Sequence, residues 1–151
     1  MIRKATIKDI KAIHGLLGDY GSKGDLLSRP LSELYDHLRD FLVYVDEEND
    51  IVVGCCALQF CWEDLAEIRS LAVDSTQLGK QIGTALIEES LKEAKFFQVT
   101  KVFALTYKPE FFKKFGFNEI DRSKLPLKIW TDCVLCVKFP DCDETAMMKK
   151  I

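Results

Sequence analysis

The chain has 151 residues, 48% of them hydrophobic, which is material for one core of ordinary domain size. Its 21 basic and 24 acidic residues nearly cancel to a formal charge of -3, without the basic excess of a non-specific nucleic-acid binder or of a polybasic membrane anchor. No apolar run approaches the roughly 18 residues that cross a bilayer, and residues 1–13 alternate charged with apolar side chains, unlike a signal peptide. The expectation is a cytoplasmic protein without nucleic-acid or membrane partners.

In chain order, residues 2–5 predict a short strand. Thr6 and Asp9 have capping spacing, with Thr6 placed to accept from a first-turn N–H. Ile7, Ile10, Ile13, Leu16 and Leu17 then recur at helical spacing, so a first helix runs over 7–19 until Gly21, Ser22 and Gly24 break it. A second helix covers 31–39, with Leu31, Leu34, Tyr35 and Leu38 on one face. The period changes at 41–45 and 51–60, two β-rich runs that form an antiparallel hairpin around the polar turn 46–50. Residues 65–73 make a third strand, with Ala66, Ile68, Ser70 and Ala72 on one face and Leu65, Glu67, Arg69, Leu71 and Val73 on the other. A helix over 84–97, a strand over 101–106, a short helix over 110–115 stopped by Gly116, and a strand over 117–120 complete the series. There is no repeat, low-complexity tract or linker, so residues 1–151 are expected to be a single domain. This order predicts a mixed sheet with helices on both faces. Its ligand site falls at 71–84, where a strand C-terminus meets a helix N-terminus.

Two glycines and a lysine in Leu78-Gly79-Lys80-Gln81-Ile82-Gly83-Thr84 are able to present free N–H groups and a positive dipole end to a phosphate, although such glycines equally serve turn geometry. The flanking Ile68-Arg69-Ser70-Leu71-Ala72-Val73-Asp74, the following Ala85-Leu86-Ile87, and Glu110-Phe111-Phe112-Lys113-Lys114-Phe115-Gly116-Phe117 downstream together resemble the acetyl-CoA-binding blocks of the GNAT superfamily. The resemblance implies an α/β (mixed α+β) GNAT fold with a central mixed, mostly antiparallel sheet. It implies acetyl-CoA as co-substrate, its pyrophosphate on Leu78, Gly79, Lys80, Gln81, Ile82, Gly83 and Thr84. The strand carrying Leu71 and Val73 would splay from its neighbour at 101–106 and bond the pantetheine arm at those two residues. Three positions depart from the family pattern. Leu78 replaces Gln or Arg, and Gln81 replaces the inner glycine, where a positive φ would impose strain. Phe112 stands where many relatives carry a tyrosine acid; Tyr107, close in sequence, is able to substitute, although a CoA thiolate is a good enough leaving group to need no dedicated acid.

Acetyl transfer needs a neutral amine and hence a base. Glu67 is the candidate, its other reading being an ordinary solvent-facing carboxylate. Ser70 and Thr106 are candidate substrate hydroxyls, or half-buried strand hydroxyls. His14 and His37 read as surface or core-edge residues. Residues 66–73, 102–106, Leu125-Pro126, 128–133 and 138–144 look like short stand-alone amino-acid N-acetyltransferases that make N-acetylglutamate for arginine synthesis. That resemblance implies a small-molecule amine acceptor, L-glutamate, whose two carboxylates Arg29, Arg69 and Lys128 are able to pair with; for Arg69 a solvated charge is the favoured reading. The kinase-like domain of the long members is not expected. Another small amine or a protein N-terminus as acceptor, and a non-catalytic acyl-CoA sensor, remain open, as does a homodimer. With no export signal, the six cysteines read as thiols or metal ligands rather than disulfides. Cys133, Cys136 and Cys142 have a metal-like first spacing but lack a fourth ligand, so no metal is assigned. Packed thiols are the simpler reading and a redox-sensitive pair a third.

Overall fold

The computed structural model describes residues 1–22, 29–126 and 144–151. Gly24, Lys128, Cys133, Cys136 and Cys142 lie outside the described residues, and so does most of the C-terminal run 128–144. Among the described residues seven strands form one sheet, in the order β1 (Ile2–Lys4), β2 (Phe41–Asp46), β3 (Ile51–Trp62), β4 (Leu65–Val73), β5 (Lys101–Thr106), β7 (Thr145–Lys150) and β6 (Asn118–Glu119), and the chain divides into two compact units, Met1–Leu58 with Ile68–Glu93 and Gln59–Glu67 with Ala94–Ile151.

The first unit contains β1 (Ile2–Lys4), α1 (Ile10–Ser22), α2 (Leu31–Asp36) and β2 (Phe41–Asp46). It also holds the first part of β3 (Ile51–Trp62), the second part of β4 (Leu65–Val73) and most of α3 (Ile82–Phe96). Ile10, Ile13, Leu16 and Leu17 of α1 and Leu34 of α2 pack on Phe41, Val43, Val45, Cys55, Ala57 and Ala72. Four residues of the expected stripe, Ile10, Ile13, Leu16 and Leu17, are therefore the core face of the helix, while the fifth, Ile7, is exposed. The limits of the helix differ from the expectation. Residues 7–9 form a 3₁₀ turn before α1, and the helix continues through Gly21 and Ser22, because one glycine in a helix costs only about 1 kcal/mol. The Thr6–Asp9 cap is present with its roles reversed: the Asp9 carboxylate accepts from the Thr6 N–H at 2.7 Å and from the Thr6 hydroxyl at 3.1 Å. Arg3 grips the same carboxylate through Nη1 at 2.6 Å and Nη2 at 3.1 Å, which holds Asp9 below the ordinary carboxylate range.

The second unit contains the end of β3, the start of β4, β5 (Lys101–Thr106), α4 (Pro109–Lys113), β6 (Asn118–Glu119) and β7 (Thr145–Lys150). Phe103, Leu65, Cys61, Leu125 and Ala146 form its core. A parallel ladder joins Leu65, Ala66 and Glu67 to Lys101, Val102 and Phe103. On its other side β5 pairs antiparallel with β7 over six residues, and β7 pairs antiparallel with β6. β7 thus enters between two earlier strands, an insertion that no local pattern foretells. The C-terminus of α3 ends in a Schellman arrangement. The Val99 N–H donates to the Ala94 carbonyl at 3.1 Å and the Gln98 N–H to the Lys95 carbonyl at 3.0 Å, with Gln98 left-handed at φ 65°. Phe112 is buried edge-on against Phe111 and Phe117 in this unit, so the ring replacing the family tyrosine is a core residue.

Candidate active site

The loop between β4 and α3 lies in the first unit. Asp74 closes it at the strand end: its N–H donates to the Val53 carbonyl at 2.8 Å, and its carboxylate accepts from the Thr76 N–H at 2.9 Å and hydroxyl at 2.7 Å. Leu78, Gly79, Lys80 and Gln81 are exposed. Gly79 and Gln81 are both left-handed, at φ 84° and 64°, so the position where the family carries an inner glycine does require positive φ. Gln81 adopts it at a cost of about 1–2 kcal/mol. Helix α3 begins at Ile82, two residues earlier than its periodicity suggested, and its first intrahelical bond is Ala85 N–H to the Gln81 carbonyl at 3.0 Å. Ile82, Gly83 and Thr84 therefore form the first turn, whose N–H groups lack intrahelical acceptors and sit at the positive end of a 15-residue helix. Lys80 is exposed and its ammonium donates to Gln77 Oε1 at 2.9 Å.

Gly54 of β3 sets how closely α3 approaches the sheet. A methyl group there would stand 2.9 Å from Ile82 Cγ2 and 3.1 Å from Leu86 Cδ1. Behind it, the Ser90 hydroxyl donates to Cys56 Sγ at 3.5 Å. Burial raises the thiols of Cys55 and Cys56, the latter to about 12, so both are neutral and unsuited to nucleophilic attack.

Leu71 is half-buried and Val73 buried on β4, and Ser70 just before them is left-handed at φ 57°. A non-glycine residue with positive φ inside a strand interrupts the pleat, so the two-face alternation expected for 65–73 does not hold through this point. What holds Ser70 there is visible: its carbonyl accepts from the Cys55 thiol at 3.4 Å, and its hydroxyl accepts from Arg29 Nη1 at 3.0 Å. Two residues predicted separately, Arg29 and Ser70, are thus one cluster.

Arg29 is only 4% exposed. Its Nε donates to Glu33 Oε1 at 2.9 Å, and its guanidinium lies 5.5 Å over the Phe41 ring. Nη2 is 2.9 Å from the same Glu33 oxygen yet is buried without a hydrogen-bond partner, so the contact is coulombic and the donor is unused. Burial, and then the charge of Arg69, push the guanidinium below its usual value. Arg69 is half-buried and electrostatically coupled to Arg29, which corrects its reading as a solvated charge. A desolvated cation with an idle donor beside a second cation is chemically suited to a carboxylate.

The remaining candidates belong to the second unit. Glu67 is buried at 8% exposure, which overturns its reading as a solvent-facing carboxylate. Thr106 Oγ1 accepts from the Lys108 N–H at 2.9 Å, which leaves the hydroxyl hydrogen free to donate. Tyr107 is half-buried directly after β5. Among the described residues no group of three or more His, Cys, Asp or Glu side chains is placed to hold a metal ion, and no helix is long and apolar enough to cross a membrane.

The acetyltransferase (GNAT) family model matches residues 12–117. An uncharacterised N-acetyltransferase of Chlorobaculum tepidum is 39% identical over 150 residues, covering 99% of this chain and 96% of its own length. An amino-acid acetyltransferase of Mycobacterium tuberculosis is 37% identical over 135 residues, covering 87% and 76% respectively. The N-acetylglutamate synthase of Neisseria gonorrhoeae, solved with coenzyme A and N-acetyl-glutamate, superposes on 99% of this chain with a TM-score of 0.90 at 25% identity, the match spanning 34% of that longer chain. The chain belongs to the acetyltransferase (GNAT) family as an acetyl-CoA-dependent N-acetyltransferase.

Proposed function

We propose that the chain acetylates the α-amine of a small amino acid, L-glutamate, as a step of arginine biosynthesis, and that residues 1–151 act as one acetyltransferase domain. The observation that carries this reading is the buried Arg29 with its unused Nη2 donor and Arg69 as a second nearby charge. Glu33 balances one charge of the Arg29–Arg69 pair, so an acceptor carboxylate would balance the second and give Nη2 a hydrogen-bond acceptor. The single-domain reading rests on the family match, which runs through both compact units, and on a relative of nearly equal length.

In this mechanism the acceptor carboxylate pairs with Arg29, with Ser70 holding the guanidinium plane, and Lys128 takes the second carboxylate. The transfer needs a hydroxyl donor for the acceptor, a base for its ammonium group, directly or through water, and a proton for the departing thiolate; the candidates, all in the second unit, are Thr106, Glu67 and Tyr107. The neutral amine attacks the thioester carbonyl, so a C–N bond forms as the C–S bond breaks. The pyrophosphate lies on the N–H groups of residues 78–84, while Leu71 and Val73 bond the pantetheine arm through their backbones. The neutral, buried Cys55 and Cys56 favour this direct transfer over an acyl-cysteine route.

The test is CoA-thiol release from acetyl-CoA across the twenty amino acids. Release with glutamate alone supports the assignment. Release with a different small amine or with a peptide N-terminus moves the acceptor but keeps the chemistry. CoA binding without release on any amine replaces the enzyme by an acyl-CoA sensor.

A further inference from the structure

Cys55, Ser70 and Arg29 all belong to the first unit, and the thiol of Cys55 is spent on neither nucleophilic attack nor a metal. Cys55 is fully buried in the core that α1 and α2 form with the sheet. The other described members of that core are hydrocarbon side chains, from Ile10 and Leu17 to Phe41 and Val43. Burial keeps the thiol protonated, so the sulfur carries a hydrogen that needs an acceptor. That acceptor is the Ser70 carbonyl, 3.4 Å away on the neighbouring strand β4, and the Ala72 N–H faces the same sulfur.

The bond falls on a strained residue. Ser70 has a φ of 57°, which a residue other than glycine keeps only where its surroundings hold it. It is held from both ends: the backbone carbonyl accepts from Cys55, and the hydroxyl accepts from Arg29 Nη1 at 3.0 Å. An irregular residue inside a strand re-aims its side chain, and here the hydroxyl is aimed at Arg29. Arg29 is 4% exposed with Nη2 unpartnered, so the direction of that idle donor is set by the contacts on the rest of its plane. Glu33 of α2 holds Nε, the Phe41 ring of β2 lies against the face, and Ser70 ties Nη1 to β4.

We propose that Cys55 is a positioning residue of the acceptor site: its bond to the Ser70 carbonyl fixes the Ser70 hydroxyl, and that hydroxyl fixes the plane of Arg29 for an acceptor carboxylate. This role rests on the reading of Arg29 as the partner of that carboxylate. The experiment compares Cys55→Ala, which removes the donor, with Cys55→Ser, which keeps one, each alone and combined with Ser70→Ala. Thiol release is measured with acceptor and acetyl-CoA varied in turn, beside thermal melts. Hydrogen exchange of the Arg29 Nε–H is followed by NMR, the resonance being identified by its loss in Arg29→Lys. Cys55→Ala should raise the acceptor KM by about two- to tenfold, the range of one hydrogen bond, while kcat and the KM for acetyl-CoA stay unchanged. It should also speed exchange at Arg29. Cys55→Ser should lie between Cys55→Ala and wild type, and in Ser70→Ala the loss of the thiol should have no further effect on KM. An unchanged acceptor KM in folded Cys55→Ala overturns the proposal. So does a serine no better than alanine, or a loss that multiplies with that of Ser70→Ala. Wild-type protein silent with glutamate counts against the glutamate reading alone. Arg29 exchange then decides the role of Cys55, and an Nε–H equally protected in Cys55→Ala overturns it.

Discussion

Replacing Arg29 by methionine separates a substrate contact from a structural one, because the two roles predict opposite signs for stability. In the free protein Arg29 is a buried cation whose nearest counter-charge, Glu33, is 39% exposed and able to return to water. One of its nitrogens is also unsatisfied. Replacing a buried ion pair by apolar groups is often neutral or stabilising by about 1–4 kcal/mol; with Glu33 able to return to water, Arg29→Met should melt at the same temperature or higher, by about 2–4 °C for each kcal/mol gained. Acetyl transfer should respond the other way. A charge-assisted hydrogen bond from Nη2 to a carboxylate contributes about 1.5–3 kcal/mol, which corresponds to an increase of about 10- to 150-fold in KM for the acceptor. The carboxylate is not itself altered in the reaction and is held equally before and during it, so kcat should change little. Arg29→Lys should fall between, since a lysine supplies charge without the fork. The assay is steady-state thiol release with glutamate varied at saturating acetyl-CoA, beside a thermal melt. An Arg29→Met protein that melts lower and keeps its acceptor KM would refute the reasoning and leave Arg29 as a brace for Ser70.

Three further outcomes are expected. Glu67→Gln should lower kcat by about 10²–10⁴ while calorimetric CoA binding is unchanged. The deficit should shrink as pH rises and the acceptor amine deprotonates by itself. Gln98→Gly should remove a left-handed cost of about 1–2 kcal/mol against a glycine entropy penalty of roughly 0.5–1 kcal/mol, for a net gain read as a melting point about 2–4 °C higher. Asp9 is held below the ordinary carboxylate range by Arg3 and Thr6, so the unfolded chain binds the extra proton first. Its contribution is therefore present above the unfolded carboxylate pKa and lost as pH falls through the folded one. Asp9→Asn should cost about 1–3 kcal/mol at neutral pH and flatten the acid limb of a denaturation-versus-pH curve.

The legible parts of this protein are those encoded in contiguous sequence. The hairpin of β2 and β3, the core stripe of α1 and the loop before α3 each announce themselves within about a dozen residues. Gln81 was legible as an anomaly, and its positive φ is the conformation the missing glycine pointed to. What was hidden depends on residues far apart in the chain. The Arg29–Ser70 bond spans 41 positions, and without it Arg29 is one cation among many. Glu67 looked like any polar strand residue because β4 is covered on both faces there, so period-two patterning loses its meaning. Strand β7 was missed because Thr145–Lys150 has no alternation: its buried pair, Ala146 and Met147, is consecutive. Its strand character comes from pairing with β5, not from its own composition.

Gly54 has a bearing on how this enzyme is able to change. The first turn of α3 presents backbone N–H groups without intrahelical acceptors, and beneath it Gly54 places a hydrogen atom where every other residue would place carbon. A single methyl at position 54 meets Ile82, the first residue of that helix, inside contact distance. The Ile82 and Leu86 side chains, or the helix turn that carries them, would have to give by some tenths of an ångström. A sturdier strand at this position is therefore gained only against a packing cost at the first turn of α3. The usual stabilising exchange of glycine for alanine is closed to this fold at the place where the sheet most invites it.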